Sequence, residues 1–354
     1  MEERYFMSSL TRTLFKRIGW GFLAGYGYSL IRDQLRYRSL KNAVVVISGG
    51  SRGLGLVMAK EFARQGASLA LLARDKEELE RGQKIVELAA PGANVLILEC
   101  DCTKPNQVDD AISEVMKTFG QIDVVVNNAG VISTAPLENT TKKDFEDSLD
   151  THFWAPFYMN RACLPHLKAG ARIVNISSVG GLIPIPHLAA YCTGKFALRG
   201  YSQSLRLELM KKGIYVTTVC PGLMRTGSAR NARVKGQFKK EHAWFSLMAS
   251  APLITISAER AAKRIVSATK TGQAEINVSM TSRLGSLMNA HFPGIYADLG
   301  SLANLLLPNP TDDLRTTKDG KDAESFITTS FLTSMGERAA EQNNEIPPQT
   351  DQLH

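Results

Sequence analysis

The chain has 354 residues, 44% of them hydrophobic and 21% charged, which supports one large domain with a packed core and excludes wholesale disorder. Its formal charge of +8 is unevenly placed: residues 1–41 hold eight Lys/Arg against three Asp/Glu. A second basic run, ARNARVKGQFKK, spans 229–240, but there is no basic helix with interleaved aromatics and no zinc-finger spacing, so nucleic acid is not an expected partner. The five cysteines (100, 102, 163, 192 and 220) lie in apolar or strand-like contexts without a CxxC pair. They read as reduced, buried thiols of a cytoplasmic protein, with no metal site.

The first apolar stretch, IGWGFLAGYGYSLI at 18–31, is uncharged and glycine-rich. It falls short of the roughly 20 residues that a spanning helix needs. It starts late and lacks a cleavage site, which argues against a signal peptide. Two readings stand: a helix packed on the domain's own surface, or one lying on an anionic membrane.

From residue 42 the pattern becomes regular. NAVVVIS is a fully apolar, β-branched run that predicts a buried parallel strand. LGLVMAKEFARQG follows with helical spacing and a glycine stop. Further strands are predicted at ASLALLAR, NVLILECD, IDVVVNNAG, ARIVNISS, IYVTTVCPG and AEINVS. Helices fall between them at 75–92, 104–120, 142–168, 190–213 and 257–272. Strands alternating with helices in this way make a doubly wound parallel α/β sheet. The expected organisation is a basic, apolar extension over 1–41, a single domain over 42–280, an apolar extension over 281–308 and a polar, disordered tail over 309–354.

In VVVISGGSRGLGLVMAK, glycines stand at 49, 53 and 55, after a strand and at the opening of a helix. Such a turn lets backbone approach a pyrophosphate, and the helix start supplies N–H donors and a positive dipole end. The spacing G-x-x-x-G-x-G, the NNAG after the fourth strand and Tyr191-x-x-x-Lys195 occur in that order. Together they make the stretch 42–280 resemble the short-chain dehydrogenase/reductase family. The resemblance implies a Rossmann-type sheet of seven parallel strands with helices on both faces. It implies cofactor contacts from Ser48, Gly49, Ser51, Arg52, Gly53, Leu54 and Gly55. It also implies that Asp101 and Cys102 lie against the adenine, and that Asn128, Ala129 and Gly130 line the ribose side. Ser48 stands where the family usually has threonine, and keeps the hydroxyl.

An NAD enzyme would place a carboxylate at the end of the second strand for the ribose 2′-hydroxyl. Here the strand ends in Ala73 and Arg74, and Arg52 sits in the glycine loop. Two guanidiniums suit a 2′-phosphate, so the expected cofactor is NADP(H), the branch that prefers it. Asp75 comes late and reads as a solvated helix start.

Tyr191 and Lys195, four apart, share one helix face. An ammonium beside the phenol would favour the phenolate, making Tyr191 the proton donor and acceptor and Lys195 its tuner and a cofactor ligand. By resemblance, Ser178, thirteen residues before Tyr191, would hold the substrate oxygen. Pro221 and Gly222 would face the nicotinamide, with Thr226 reaching its carboxamide. His152 takes the place of an asparagine that serves the family's proton relay, although a one-residue shift in alignment would put Thr151 there. A histidine could carry the proton, could spoil the relay, or could only pack beneath the site.

The implied reaction moves hydride between NADPH and a carbonyl or secondary alcohol. The alternative is a cofactor-binding regulator or scaffold with impaired chemistry, which His152 and the unusual ends motivate. The loop 223–257, with Trp244, Phe245, Leu247, Met248 and Leu253 beside its basic residues, points to an apolar small-molecule substrate; a plain hydrophobic lid explains the same residues. The resemblance implies a homodimer or homotetramer through the long helices. The apolar run 291–308, with 18–31, could form a surface for a membrane, a lipid-like substrate or a partner subunit.

Overall fold

A computed structural model describes residues 27–251, 255–326, 328 and 333–346. Seven strands form one parallel sheet: β1 (Val44–Ser48), β2 (Ser68–Ala73), β3 (Val95–Glu99), β4 (Val124–Asn127), β5 (Arg172–Ile176), β6 (Tyr215–Cys220) and β7 (Glu275–Asn277). Their order across the sheet is β7-β6-β5-β4-β1-β2-β3. The strand order reverses between β1 and β4, and a crevice opens there at the carboxyl ends of the strands.

The continuous apolar runs follow from this placement. β1 and β4 are buried along their whole lengths because helices cover both faces of the sheet. One face packs on α1 (Gly53–Arg64), α2 (Lys76–Ala89) and the later helix Ala258–Thr271, through Leu56, Phe62, Leu79 and Ile265. The other packs on α3 (Pro105–Phe119) and on the helices that follow β4 and β5, through Val108, Ile112, Met159 and Leu209.

The long helix expected over 142–168 is broken. It divides into α4 (Lys142–Leu149), a π-helical turn at Asp150–Trp154 and α5 (Ala155–Cys163). The turn carries His152. Pro156 follows directly, and its missing N–H cannot bond back into that turn. After β5 comes α6 (Ala189–Leu209), and beyond β6 lie α7 (Phe238–Ser250) and α8 (Ala258–Thr271). A buried polar chain ties α5 and α6 to the sheet. The Asn127 amide donates to Asn160 (2.9 Å) and Asn175 (2.8 Å), Asn175 donates to Ser202 (2.9 Å), and Ser202 meets Thr218 (2.7 Å).

The apolar C-terminal extension forms two helices, α9 (Met280–His291) and α10 (Pro293–Asn304). No residue of α10 is buried, and Ile295, Leu299 and Leu302 face outward. Residues 27–35, the described end of the first apolar stretch, are helical and expose Tyr28, Leu30, Ile31 and Leu35. The rest of that stretch, with residues 1–26, lies outside the described residues, as do 347–354. Among the described residues no helix is long and apolar enough to cross a membrane.

The tail departs from expectation. Much of 309–346 is folded on the domain: Lys318–Asp319 pairs antiparallel with Arg233–Val234, and α11 (Ser334–Gln342) packs near α7. Its composition hid this because its contacts are polar. Arg230 joins Glu324 (2.8 Å) and Glu337 (3.2 Å), and the Asn139 amide bonds Thr311 and Asp313.

Candidate active site

The glycine loop has the geometry that its spacing implies. Gly49 and Gly53 have φ of 65° and 55°, a region that glycine enters without strain. A Cβ on Gly55 would overlap the Gly49 carbonyl oxygen, and one on Gly49 would come within 2.8 Å of the Ala129 Cα. The loop therefore lies flat against the turn after β4. Ser48 does the work of the usual threonine: its Oγ accepts from the backbone N–H of Asn128 (3.1 Å) and Ala129 (3.3 Å). The Asn128 amide donates to the Gly49 carbonyl at 2.9 Å. Leu54 and Gly55 open α1 as buried residues, so its N-terminus faces the crevice.

Of the two residues expected to meet the adenine, Asp101 is half-buried, and its Oδ1 accepts from the Thr103 N–H and hydroxyl, while Cys102 is buried. Arg74 is exposed at the end of β2. Asp75 caps α2 by accepting from the Glu78 N–H at 2.8 Å, the helix-start role expected of it. A carboxylate that the sequence reading passed over does reach the loop. Glu78, one turn into α2, accepts from the Ser51 hydroxyl and from Arg52 (2.9 Å). Arg52 is therefore already partnered, and a second carboxylate, Glu345, lies 3.4 Å from its Nε.

The catalytic candidates converge at the crevice floor. α6 puts Tyr191 and Lys195 one turn apart, and the end of β5 delivers Ser178. Ser178 lies beside the Tyr191 phenol, and its Oγ accepts from the Gly180 N–H at 3.1 Å. Lys195 is buried and donates from Nζ to the Ile176 carbonyl at 2.9 Å. Ser177 points away and donates to the Lys195 carbonyl (2.9 Å), a structural contact. After β6, the Pro221 carbonyl accepts from the Val179 N–H, and Gly222 lies so close to Ser279 that no side chain fits. Thr226 is buried, with its hydroxyl turned to Ser228 at 2.8 Å.

The electrostatics differ from the simple pairing expected. Burial pushes the Tyr191 phenol up to about 12, against a smaller lowering by the Ser178 hydroxyl beside it. Burial also pulls Lys195 down to about 7. The ammonium lies 5.8 Å from the Tyr191 ring centre and is turned toward a backbone carbonyl. Desolvation thus dominates both groups in the cofactor-free chain.

His152 sits under this cluster, its ring edge-on to Tyr191 at 5.2 Å between centroids. Complete burial, reinforced by the Lys195 charge, holds it well below the usual imidazole value, so it is neutral. Its Nε2 accepts from the Val131 N–H (3.3 Å), which leaves the proton on Nδ1, 3.2 Å from the Ser148 Oγ. Both nitrogens are engaged in packing the turn. Thr151, the alternative at this position, lines a cavity beside His152 together with Asp144, Asp147, Arg233 and Lys235. The basic residues there are paired, Arg233 with Asp147 (3.5 Å) and Lys235 with Asp144 (2.6 Å).

Two clusters had no local signal. A buried Glu241 accepts from Trp244 Nε1 (2.8 Å) and meets His187 Nδ1 (2.8 Å). Asn343, Asn344 and Glu345 reach the glycine loop from the tail. Among the described residues, no group of His, Cys, Asp and Glu could hold a metal ion.

The short chain dehydrogenase signature matches residues 43–236, more than half of the chain. The chain belongs to the short-chain dehydrogenase/reductase family. It is 36% identical over 229 residues to a dehydrogenase/reductase SDR family protein 7-like of Anopheles gambiae, covering 63% of this chain and 72% of that protein. It is 33% identical over 249 residues to the putative oxidoreductase SadH of Mycobacterium tuberculosis, covering 69% and 89%. Among solved structures, an L-sorbose reductase from Gluconobacter frateurii, complexed with NADPH and L-sorbose, superposes with a TM-score of 0.60. That match is 24% identical and covers 69% of this chain and 98% of that one, a likeness of fold. Family members are oxidoreductases that bind a nicotinamide dinucleotide and act on carbonyl or alcohol groups. The crevice fits such a group, since glycines line it where a Cβ would intrude and the first turn of α1 presents N–H donors.

Proposed function

We propose that this short-chain dehydrogenase/reductase is an NADP(H)-dependent reductase of apolar ketones or aldehydes, with Ser178, Tyr191 and Lys195 as its catalytic residues. The observation that carries the reading is the convergence of Ser178 with Tyr191, one helical turn from the buried Lys195, at the floor of the glycine-loop crevice. When bound, the nicotinamide supplies the hydride. Ser178 holds the carbonyl oxygen. Tyr191, kept protonated by burial, delivers its proton to that oxygen as negative charge develops there. A Lys195 proton nearby stabilises the phenolate that remains.

Ser48, the loop residues 49–55 and residues 128–130 would hold the dinucleotide. Pro221, Gly222 and Thr226 would flank its nicotinamide end. Arg52 and Arg74 favour a 2′-phosphate, with Glu78 tempering the first of them. The apolar character of the substrate is supported by Val179, Leu182, Ile183, Ile185 and Tyr296, a cluster that begins one residue after Ser178. The outward apolar faces of α9 and α10 are the corresponding candidate for a peripheral membrane contact.

The test is fluorescence titration with NADPH and NADH, followed by oxidation on a panel of apolar ketones and aldehydes. The expected result is tighter binding of NADPH and turnover that Tyr191→Phe lowers by about 10²–10⁴-fold without changing cofactor affinity. Undiminished turnover in Tyr191→Phe would sink the catalytic assignment. Tighter binding of NADH would overturn the reading of Arg52 and Arg74.

A further inference from the structure

The glycine loop, the part of the crevice suited to phosphate, is in contact with the chain's own C-terminal segment. The backbone carbonyl of Asn343 accepts from the Gly53 N–H at 2.9 Å, the donor at the start of α1. Asn344 donates to the carbonyls of Ser51 (2.9 Å) and Glu78 (3.0 Å), and its Oδ1 accepts from Arg81 at 3.1 Å. The Glu345 carboxylate lies 3.4 Å from Arg52 Nε and accepts from the Asn231 amide. It comes so close to the loop that a Cβ on Gly53 would lie 2.7 Å from its Oε1. The Asn343 amide bonds the Thr226 carbonyl at 3.3 Å, so the segment joins the glycine loop to the 226–231 loop. Asn343 and Asn344 are 1% and 4% exposed, and the Glu345 side chain 3%, so this seat is built and dry.

A helix N-terminus and a guanidinium are what a phosphate requires, and here an acyl oxygen and a carboxylate have taken them. A phosphate arriving beside a seated Glu345 would also bring a second anion to Arg52. We propose that residues 343–345 are a built-in competitor for the phosphate end of the dinucleotide crevice, displaced when the cofactor binds. This inference rests on the proposed reading of the crevice as a dinucleotide site.

The seat is also releasable. Burial, with Glu78 adding to it against Arg52 and Asn231, pushes the Glu345 carboxyl up to about 7. A buried carboxyl raised in this way resists ionisation, which weakens the seat as pH rises toward neutrality. The segment is tethered by α11 and by the Arg230–Glu337 ion pair, so release need not unfold the domain.

The test uses the full chain. Asn344→Ala/Glu345→Ala removes the side-chain contacts of Asn344 and Glu345 without substituting the proposed catalytic or cofactor-binding residues, and a thermal melt checks that the domain stays folded. NADPH and NADH affinities are read by fluorescence titration at pH 7.5. The expected result is tightening of NADPH by about 5-fold or more in the variant. A second measurement needs no variant: hydrogen exchange at residues 343–345 of the native chain should quicken on saturation with NADPH. Equal affinity in both chains, or exchange that slows because the segment closes over the nucleotide, overturns the competitor and leaves the proposed function standing. If neither chain binds either nucleotide, the dinucleotide reading falls and the competitor falls with it.

Discussion

Lys195 shows how far burial alone can move a functional group. Its motif partner was expected to be the group most affected, with an ammonium pulling a phenol down. Instead the lysine is lowered to about 7 and the tyrosine raised. A linkage consequence follows. The unfolded chain binds the lysine proton up to its ordinary 10.5, whereas the folded cofactor-free chain releases it near 7. Over that window the unfolded state holds more protons, so stability attributable to Lys195 grows as pH rises from about 7 toward 10.5. In urea unfolding across this range, Lys195→Met should be more stable than the native chain near pH 7, and its advantage should shrink as pH rises. An advantage that stays constant with pH would show that Lys195 is not desolvated. Tyr191 and Lys195 were readable because their spacing puts them on one helix face, and Ser178 because the family resemblance implied it. Glu78 and Glu345 were not readable. The first is an ordinary acidic residue in a helix's first turn, and the second sits in a polar tail; only distant contacts turn either toward Arg52.

At the scale of elements, strand and helix order was legible from apolar runs and glycine stops. The break in the long helix was not. Nothing in EDSLDTHFWAPF marks a π turn except Pro156, and the turn is stabilised by what His152 and Ser148 bond around it. Likewise the strand pattern assigned no role to Asn127 and Asn175, yet they carry the buried amide chain that holds α5 and α6 in place. Replacing Asn175 with alanine removes one of the two acceptors of the Asn127 amide and the amide that donates to Ser202, leaving these groups only Asn160 and Thr218 as partners. The expected loss is about 1–3 kcal/mol per group left unsatisfied, read from denaturant midpoints at constant m. A loss under about 0.5 kcal/mol would mean that water or a rotamer change replaces the network.

At the scale of the molecule, apolar side chains remain outward on several elements among the described residues. The π turn, α5 and α6 carry an aromatic cluster of Phe153, Trp154, Phe157, Tyr158 and Tyr201, with Trp154 and, on α6, Phe196 each 41% exposed. This face is the one through which a homodimer or homotetramer is proposed to form. Sedimentation velocity of the native chain should give an assembly, and Trp154→Glu/Phe196→Glu should dissociate it with little change in melting of the domain. A native chain that sediments as a monomer would instead leave this face, like that of α10, without an assigned partner.

The sequence by itself determined the doubly wound sheet, the dinucleotide loop and the identities of the catalytic candidates. The sheet depends on local periodicity, the loop on glycine where no Cβ fits, and the candidates on the spacing of Tyr191 and Lys195 within one helix together with the family resemblance that adds Ser178. Only the tertiary structure decided the ionisation of Tyr191 and Lys195, the neutral packing of His152 and the docking of the polar tail on the glycine loop. Each depends on which charges and dipoles lose water together, and residues as far apart as Arg52 and Glu345 share a dry site only after the chain has folded.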